Sequence, residues 1–130
     1  MPSKLSMDPI ADMIVIIKNG YMAKKDQVML TYSKFKLELG KVLEKEGFIG
    51  KVQKNDKIIN VNLVYVDNKP RITEIKRVSK SGLRVYIKSK KIKPLKGGRG
   101  AIIVSTPQGV MTGKEAQKKK LGGEVICQVW

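Results

Sequence analysis

Three residues in the second half of the chain have types and spacing that suit RNA binding. Arg84, Tyr86 and Lys88 alternate with apolar residues, so a strand over this segment would direct them to one face. A flat aromatic ring between two cations can stack on a base or sugar while the cations contact phosphates. The alternative is a solvated sheet face with one exposed tyrosine. The absence of acidic residues between Glu74 and Glu115 favours RNA.

A second candidate site combines hydroxyls, glycines and one acid. Ser105 and Thr106 follow an apolar segment, and Gly122, Gly123 and Glu124 precede another. Short hydroxyl side chains and glycine backbone suit close approach to the shallow minor groove of A-form RNA, which displays 2′-hydroxyls. An isolated Ser-Thr pair is, however, more often a turn. Glu124 could accept a hydrogen bond from a base amino group or a 2′-hydroxyl, or it could fix the loop.

A short helix is predicted between these two segments. Thr112 and Glu115 have the spacing of a capping box, so the helix should begin near Gly113. Gly122 is the expected stop. Lys118 on this helix is a further candidate RNA contact, whereas neighbouring lysines would point in other directions.

The charge of the chain points to a polyanionic partner. The 130 residues carry a net charge of +16, and the sequence pI is about 10.0. Residues 75–130 hold 14 lysine or arginine residues and 2 acids, whereas residues 1–74 hold 13 and 9. The second half is therefore the expected RNA-binding half.

Enzymatic chemistry is not expected from this composition. The chain has no histidine, the commonest general base, and Cys127 is its only cysteine. One cysteine cannot form an intrachain disulfide or a zinc site, so neither a metal nor a cofactor is predicted. No apolar run has the length of a membrane span and no signal peptide is visible, which predicts a cytosolic protein without a membrane partner.

The elements that must position these residues predict an α+β chain of two small domains. Residues 1–67 should form an α-β-α-β-β domain, and residues 68–130 a mainly β RNA-binding domain with the short helix. The N-terminal elements expected are a helix from Asp8-Pro9 to Gly20, a strand over residues 28–32, a helix capped by Ser33 and ended by Gly47, and a hairpin over residues 48–66 turning at Asn55-Asp56.

A linker is expected at residues 67–70, which include an Asn and a Pro. After it, the pattern predicts strands over residues 71–77 and 83–88, with Leu83, Val85 and Ile87 on the apolar face. A basic loop should follow over residues 90–100. The β-branched segments 102–104 and 125–127 suit paired strands.

Several separated motifs resemble the bacterial family of small-subunit ribosomal protein eight. The longest runs from Ser105 to Trp130, and the others occur in the same order as in the family: residues 8–13 (DPIADM), 45–49 (KEGFI), 77–79 (RVS) and 82–86 (GLRVY). The resemblance implies a structural protein that binds the central domain of 16S ribosomal RNA directly and supports 30S assembly. It also implies that the Ser-Thr loop and the Gly-Gly-Glu segment lie against the RNA.

Further expectations follow from the same resemblance. The partners would be 16S ribosomal RNA, neighbouring small-subunit proteins and the messenger RNA of the chain's own operon, whose translation it would repress. The location would be the cytoplasmic ribosome, or the stroma or matrix for an organelle-encoded chain. A separate hypothesis is a general basic nucleic-acid-binding protein with no defined site.

The chain departs from the family pattern at four positions. Pro107 and Gln108 replace a common Ser and Lys, which removes a hydroxyl, an amide donor and a charge, although Gln108 is still a candidate RNA contact. Val15 and Ile16 stand where Thr and Arg are frequent. These replacements argue against a secondary RNA contact from the N-terminal domain, or shift that contact to Lys18, Lys24 and Lys25.

Overall fold

A computed structural model describes residues 8–130, which fall into two compact units. The first unit ends at Ile72 and the second begins at Thr73. Both combine helices with antiparallel strands, so the predicted α+β class is confirmed. No helix within the described range is long and apolar enough to cross a membrane.

The first unit has two helices on a three-stranded sheet. Its elements are α1 (Pro9–Met22), β1 (Gln27–Thr31), α2 (Lys34–Lys45), β2 (Val52–Asn55) and β3 (Ile58–Asn62). All pairings are antiparallel in the order β1-β3-β2, which confirms the predicted element order. A short hairpin follows, made of β4 (Tyr65–Val66) and β5 (Lys69–Pro70).

Polar caps start both helices of this unit, as predicted. The Asp8 carboxylate accepts a hydrogen bond from the Ala11 N–H, and the Ser33 hydroxyl accepts one from the Lys36 N–H, both at 3.1 Å. The predicted end of α1 at Gly20 is wrong, because the helix continues to Met22. A Cβ on Gly20 would lie 2.5 Å from Val28 on β1, so this glycine permits close packing of helix on strand.

The core of the first unit forms between the helices and one face of the sheet. Tyr21 lies in this core. Its hydroxyl donates a hydrogen bond to the Phe48 carbonyl at 2.8 Å and accepts one from the Val64 N–H at 3.1 Å. Burial raises the pKa of this hydroxyl. The fully buried aliphatic side chains are Met13, Ile17, Leu30, Leu39, Leu43, Ile49, Val52, Ile59 and Val61.

Residues 67–70, predicted as a bare linker, are part of the β4–β5 hairpin. Asp67 and Asn68 have φ of 54° and 66°, the left-handed pair that a tight hairpin turn requires. The β2–β3 hairpin turns one residue later than predicted, at Asp56 and Lys57, with Asp56 at φ 61°.

The second unit is built around one long strand. Its elements are β6 (Ile75–Arg77), β7 (Tyr86–Ile87), β8 (Ala101–Thr106), β9 (Gly109–Thr112), α3 (Gly113–Lys118) and β10 (Gly123–Val129). The strand order is β6-β10-β8-β9, and β7 pairs with the first residues of β10. The predicted pairing of segments 102–104 and 125–127 is confirmed, with a bulge between Val125 and Cys127.

The short helix α3 packs on one face of this sheet. Thr112 caps it by accepting from the Glu115 N–H at 3.2 Å, which confirms the predicted start. The helix ends at Lys118 rather than at Gly122, and Lys120 then adopts φ 59°. The core on this face consists of Ile92, Val104, Met111, Ala116 and Val125.

Two predicted strands of this unit are shorter than expected. Only residues 75–77 of the segment 71–77 and residues 86–87 of the segment 83–88 are strand. Leu83, expected on the apolar face, is 64% exposed and lies in a turn where its N–H donates to the Lys80 carbonyl at 2.9 Å. The basic segment that follows contains two 3₁₀ turns, Ser89–Lys91 and Lys96–Gly98.

Candidate nucleic-acid interface

Three candidate residues that are distant in sequence lie in one row across the sheet of the second unit. Glu124 on β10 is directly opposite Ser105 on β8 and directly opposite Tyr86 on β7. Side chains of directly opposed residues point to the same face, with Cβ atoms about 5 Å apart. We call Ser105, Glu124 and Tyr86 the polar row.

The polar row lies on the face of the sheet that α3 does not cover. Its neighbours Val104 and Val125 are the next register pair, and they pack against Ala116 of α3. Successive residues of a strand alternate between faces, so the polar row points away from this helix. Lys118, which lies on α3, is therefore not placed in the row.

An ion pair fixes the centre of the polar row. The Arg84 guanidinium donates to the Glu124 carboxylate at 2.9 Å, and the two side chains are 54% and 19% exposed. This contact supports the alternative in which Glu124 orders its surroundings. It also directs the Arg84 side chain towards the row.

The outer members of the row present unlike groups. The Tyr86 side chain is exposed, with 70% of the residue accessible, which is unusual for an aromatic ring. Ser105 is half-buried, and its hydroxyl has no hydrogen-bond partner within residues 8–130. A stacking surface and a free donor–acceptor group thus flank the Arg84–Glu124 pair.

Thr106 has a different role from its neighbour Ser105. It is 8% exposed, and its hydroxyl donates to the Gly109 carbonyl at 2.9 Å and accepts from the Gln108 N–H at 3.1 Å. These bonds close the turn between β8 and β9. Of the two hydroxyls proposed from the sequence, Thr106 is therefore occupied within the protein, while Gln108 is exposed at the tip of the turn.

The glycine pair is explained by contacts within the unit. A Cβ on Gly123 would lie 2.2 Å from the Ser105 carbonyl oxygen, and a Cβ on Gly122 would lie 2.6 Å from the Ile87 carbonyl oxygen. Neither position tolerates a side chain, because backbone atoms of β8 and β7 occupy the space. These glycines allow the three strands to approach each other closely. This packing role was not predicted from the sequence.

Exposed cations are numerous in the second unit. Every lysine and arginine in residues 75–130 except Arg77 is exposed, including Lys88 beside Tyr86 and Lys118 on α3. Lys119 is paired with Glu115 at 3.4 Å. Such a distribution attracts a polyanion from many directions.

Two relationships had no signal in the local sequence. The Arg84–Glu124 pair joins residues 40 positions apart. Lys96 lies over the Trp130 ring at 4.6 Å from its centroid, a cation–π contact that covers the terminal tryptophan. Among the described residues no group of histidine, cysteine, aspartate or glutamate could hold a metal ion.

The comparisons with known proteins agree on one family. A family model described as ribosomal protein S8 matches residues 8–130. The chain is 48% identical over 128 residues to the small ribosomal subunit protein uS8 of Citrifermentans bemidjiense, covering 95% of this chain and 97% of the relative. It is 43% identical over 127 residues to the protein of the same name from Vesicomyosocius okutanii, with the same coverage. The chain therefore belongs to the ribosomal protein S8 family, whose members are structural, non-enzymatic proteins of the small ribosomal subunit.

Proposed function

We propose that this protein binds the central domain of 16S ribosomal RNA directly and supports assembly of the 30S subunit. The RNA-binding part is the second unit, Thr73–Trp130, and neighbouring small-subunit proteins are further partners of the chain. The family places the chain in the small ribosomal subunit. The direct RNA contact is argued from the residues.

The observation that carries this proposal is the composition of the polar row. Tyr86 offers an exposed ring for stacking on a base or sugar, and Ser105 offers a hydroxyl without a partner in the described chain. RNA minor grooves and unstacked bases present the 2′-hydroxyls and ring faces that these groups recognise. Arg84, held by Glu124, supplies a positioned cation between them.

The roles of the candidate residues differ accordingly. Ser105 and Tyr86 provide recognition, and Arg84 and Lys88 contact phosphates. Glu124 positions Arg84. Thr106 and the glycine pair support the site by holding the strands and the turn in place. Gln108 and Lys118 add RNA contacts at the periphery.

Paired substitutions and two RNAs test the proposal. Binding of Tyr86→Ala and of Ser105→Ala would be measured against a central-domain fragment of 16S RNA and an unrelated hairpin of equal length. Loss of a stacked base should weaken binding to the fragment by about tenfold or more. Tyr32→Ala is the matched control, since Tyr32 is an exposed tyrosine of the first unit. Unchanged fragment binding by both row variants would refute the proposed contact.

A second candidate function is non-specific binding of nucleic acids. The wide scatter of exposed cations favours it, because phosphate contacts alone give affinity without sequence information. It predicts equal affinity for the fragment and the hairpin at every salt concentration. Repression of the chain's own operon would use the polar row as well, so the row variants should lose that activity together with ribosomal RNA binding.

A further inference from the structure

The outer strand β1 of the first unit has an open hydrogen-bonding edge. In its antiparallel pairing with β3, the Leu63 N–H donates to the Asp26 carbonyl at 2.9 Å and the Tyr32 N–H donates to the Lys57 carbonyl at 2.8 Å. Such bonded pairs recur at every second residue of an antiparallel ladder. The even-numbered residues of β1 therefore bond to β3, and the odd-numbered residues direct their N–H and carbonyl groups outward.

The protein covers only one end of this edge. The Lys36 ammonium donates to the Thr31 carbonyl and to the Thr31 hydroxyl, both at 2.9 Å. Gln27 and Met29 have no backbone hydrogen bond on the outer side within residues 8–130. The open part of the edge therefore centres on Met29.

A groove runs beside this open edge. It has a volume of about 570 Å³ and is lined by Ile16, Asn19, Gly20, Ala23, Lys25, Gln27, Val28 and Met29. The α1 residues of this set lie at helical spacing on one side of the groove, and β1 forms the other side. An additional strand on β1 would lie over Ile16 and Ala23.

Exposed apolar side chains lie in the groove, at Ile16 and Met29, and elsewhere on α1. Met22 and Met29 are 79% and 64% exposed, and Val15 and Ile16 are 52% and 36% exposed. Single exposed apolar residues are common, but four of the eight large hydrophobic residues that are exposed in the described part of the chain lie on α1 and β1. Lys24, Lys25 and Asp26, all exposed, lie between helix and strand and give this junction a net charge of +1.

These observations together define the chemistry of the occupant. Unpaired alternating N–H and carbonyl groups are matched by an extended peptide backbone, which is recognition by strand addition. On the face of β1 that α1 covers, Ile16 and Ala23 match a peptide with an apolar side chain at every second position, and the Met29 side chain lies on the opposite face. The two lysines match acidic residues that alternate with the apolar residues of the peptide. The phosphates of RNA, by contrast, would gain no favourable contact from methionine and isoleucine side chains.

We propose that the β1 edge and the adjoining groove bind an extended, acidic segment of another protein chain as an added strand. The segment alternates apolar and acidic residues and pairs with Gln27 and Met29. This surface belongs to the first unit, so its function does not depend on the RNA contact assigned to the polar row.

A short blocked peptide of alternating valine and aspartate is the probe. We expect it to slow hydrogen exchange of the Met29 amide, which faces outward in the unbound protein, and to leave the amides of β2 unchanged. Ile16→Glu should weaken peptide binding by about tenfold, because it removes an apolar contact. Met29→Glu should weaken it as well, because it adds a negative charge on the face where the acidic residues of the peptide lie. Val66→Glu is the matched control, since Val66 is 55% exposed and lies outside the groove.

The remaining outcomes distinguish the alternatives. A peptide of the same charge with proline at the alternate positions should not bind, because proline lacks the N–H that the edge requires. Equal binding of the proline peptide, or no protection of the Met29 amide, would overturn the proposal. Protection of the Met29 amide by increasing protein concentration alone would assign the edge to a second copy of this chain. Protection only by RNA would assign the edge to nucleic acid. Either result would also overturn the proposal. Thermal unfolding midpoints equal to that of the parent protein establish that the variants are folded.

Discussion

The Arg84 guanidinium contacts the Glu124 carboxylate at 2.9 Å, at the centre of a row that continues to Ser105 on one side and Tyr86 on the other. An acid in the proposed RNA-binding surface would oppose binding by its charge. Its value must therefore come from geometry, because it holds one cation in a defined direction. This relationship gives opposite predictions for specific and non-specific binding.

Glu124→Ala should weaken binding to the 16S central-domain fragment by about tenfold, because Arg84 loses the partner that orients it. The same substitution should leave binding to an unrelated hairpin unchanged or stronger, since the net charge rises by one. Equilibrium binding of both RNAs at one salt concentration checks this. Glu46→Ala is the control for the charge change alone, because Glu46 is an exposed acid of the first unit. Parallel weakening on both RNAs would show that Glu124 does not confer specificity.

Ser105 and Thr106 should separate into a binding residue and a stability residue. Thr106→Val should lower the free energy of unfolding by about 1–3 kcal/mol, because it removes the hydroxyl that closes the β8–β9 turn. Ser105→Ala should leave stability nearly unchanged and weaken binding to the fragment. Urea unfolding and RNA titration of the two variants test the division. A loss of stability in Ser105→Ala as large as that in Thr106→Val would contradict it.

Gly123→Ala should be strongly destabilising, because its new Cβ would lie 2.2 Å from a backbone oxygen of β8. Forcing these strands apart should cost about 2–3 kcal/mol or more. Gly82→Ala is the matched control: Gly82 has φ 83° with no atom near its Cβ position, so it should cost only about 1–2 kcal/mol of backbone strain. Urea midpoints compare the two. A smaller loss at Gly123 than at Gly82 would disprove the steric role.

Cys127 should make stability fall at alkaline pH. Burial raises the pKa of its thiol from an ordinary 9.0 to about 12, so the folded chain retains this proton while the unfolded chain releases it. The unfolded state then binds fewer protons, and the contribution to stability is lost progressively between pH 9 and pH 12. The difference in unfolding free energy between the parent and Cys127→Val should therefore shift against the parent over this range. A pH-independent difference would exclude the effect.

Salt should reduce RNA affinity steeply. If about five phosphates are neutralised, a five-fold rise in salt should weaken binding about a thousandfold. Preference for the central-domain fragment over the hairpin should persist across the range, since stacking and hydroxyl contacts release few ions. Titration at several salt concentrations measures both quantities. A preference that disappears as salt rises would favour general electrostatic binding.

The sequence predicted those features that local chemistry determines. Asp8, Ser33 and Thr112 each cap a helix through a carboxylate or hydroxyl oxygen that accepts from a backbone N–H three residues later, and all three caps are present. The central pairing of β8 with β10 followed from two β-branched segments. Each of these signals depends only on residues that are close together in the sequence.

Features that depend on distant partners were missed or misassigned. A glycine has no side chain to indicate what packs against it, so Gly20 was predicted as a helix end, although it allows close packing on Val28. The close approach of Gly123 to β8 had no local signal either, and its RNA contact stays a prediction. The apolar pattern at Leu83 predicted a buried strand face, but the chain turns there instead. The division of roles between Ser105 and Thr106 depends on which hydroxyl the turn uses, and adjacent similar residues do not reveal it.

The most direct test of the RNA-binding account is a crystal structure of the protein with the 16S central-domain fragment. We predict that the Tyr86 ring stacks on the RNA and that the Ser105 hydroxyl lies within hydrogen-bond distance of a base edge or a 2′-hydroxyl, with the Arg84–Glu124 pair intact between them. A complex in which the RNA contacts α3 and leaves Ser105, Tyr86 and Arg84 in solvent would contradict the account.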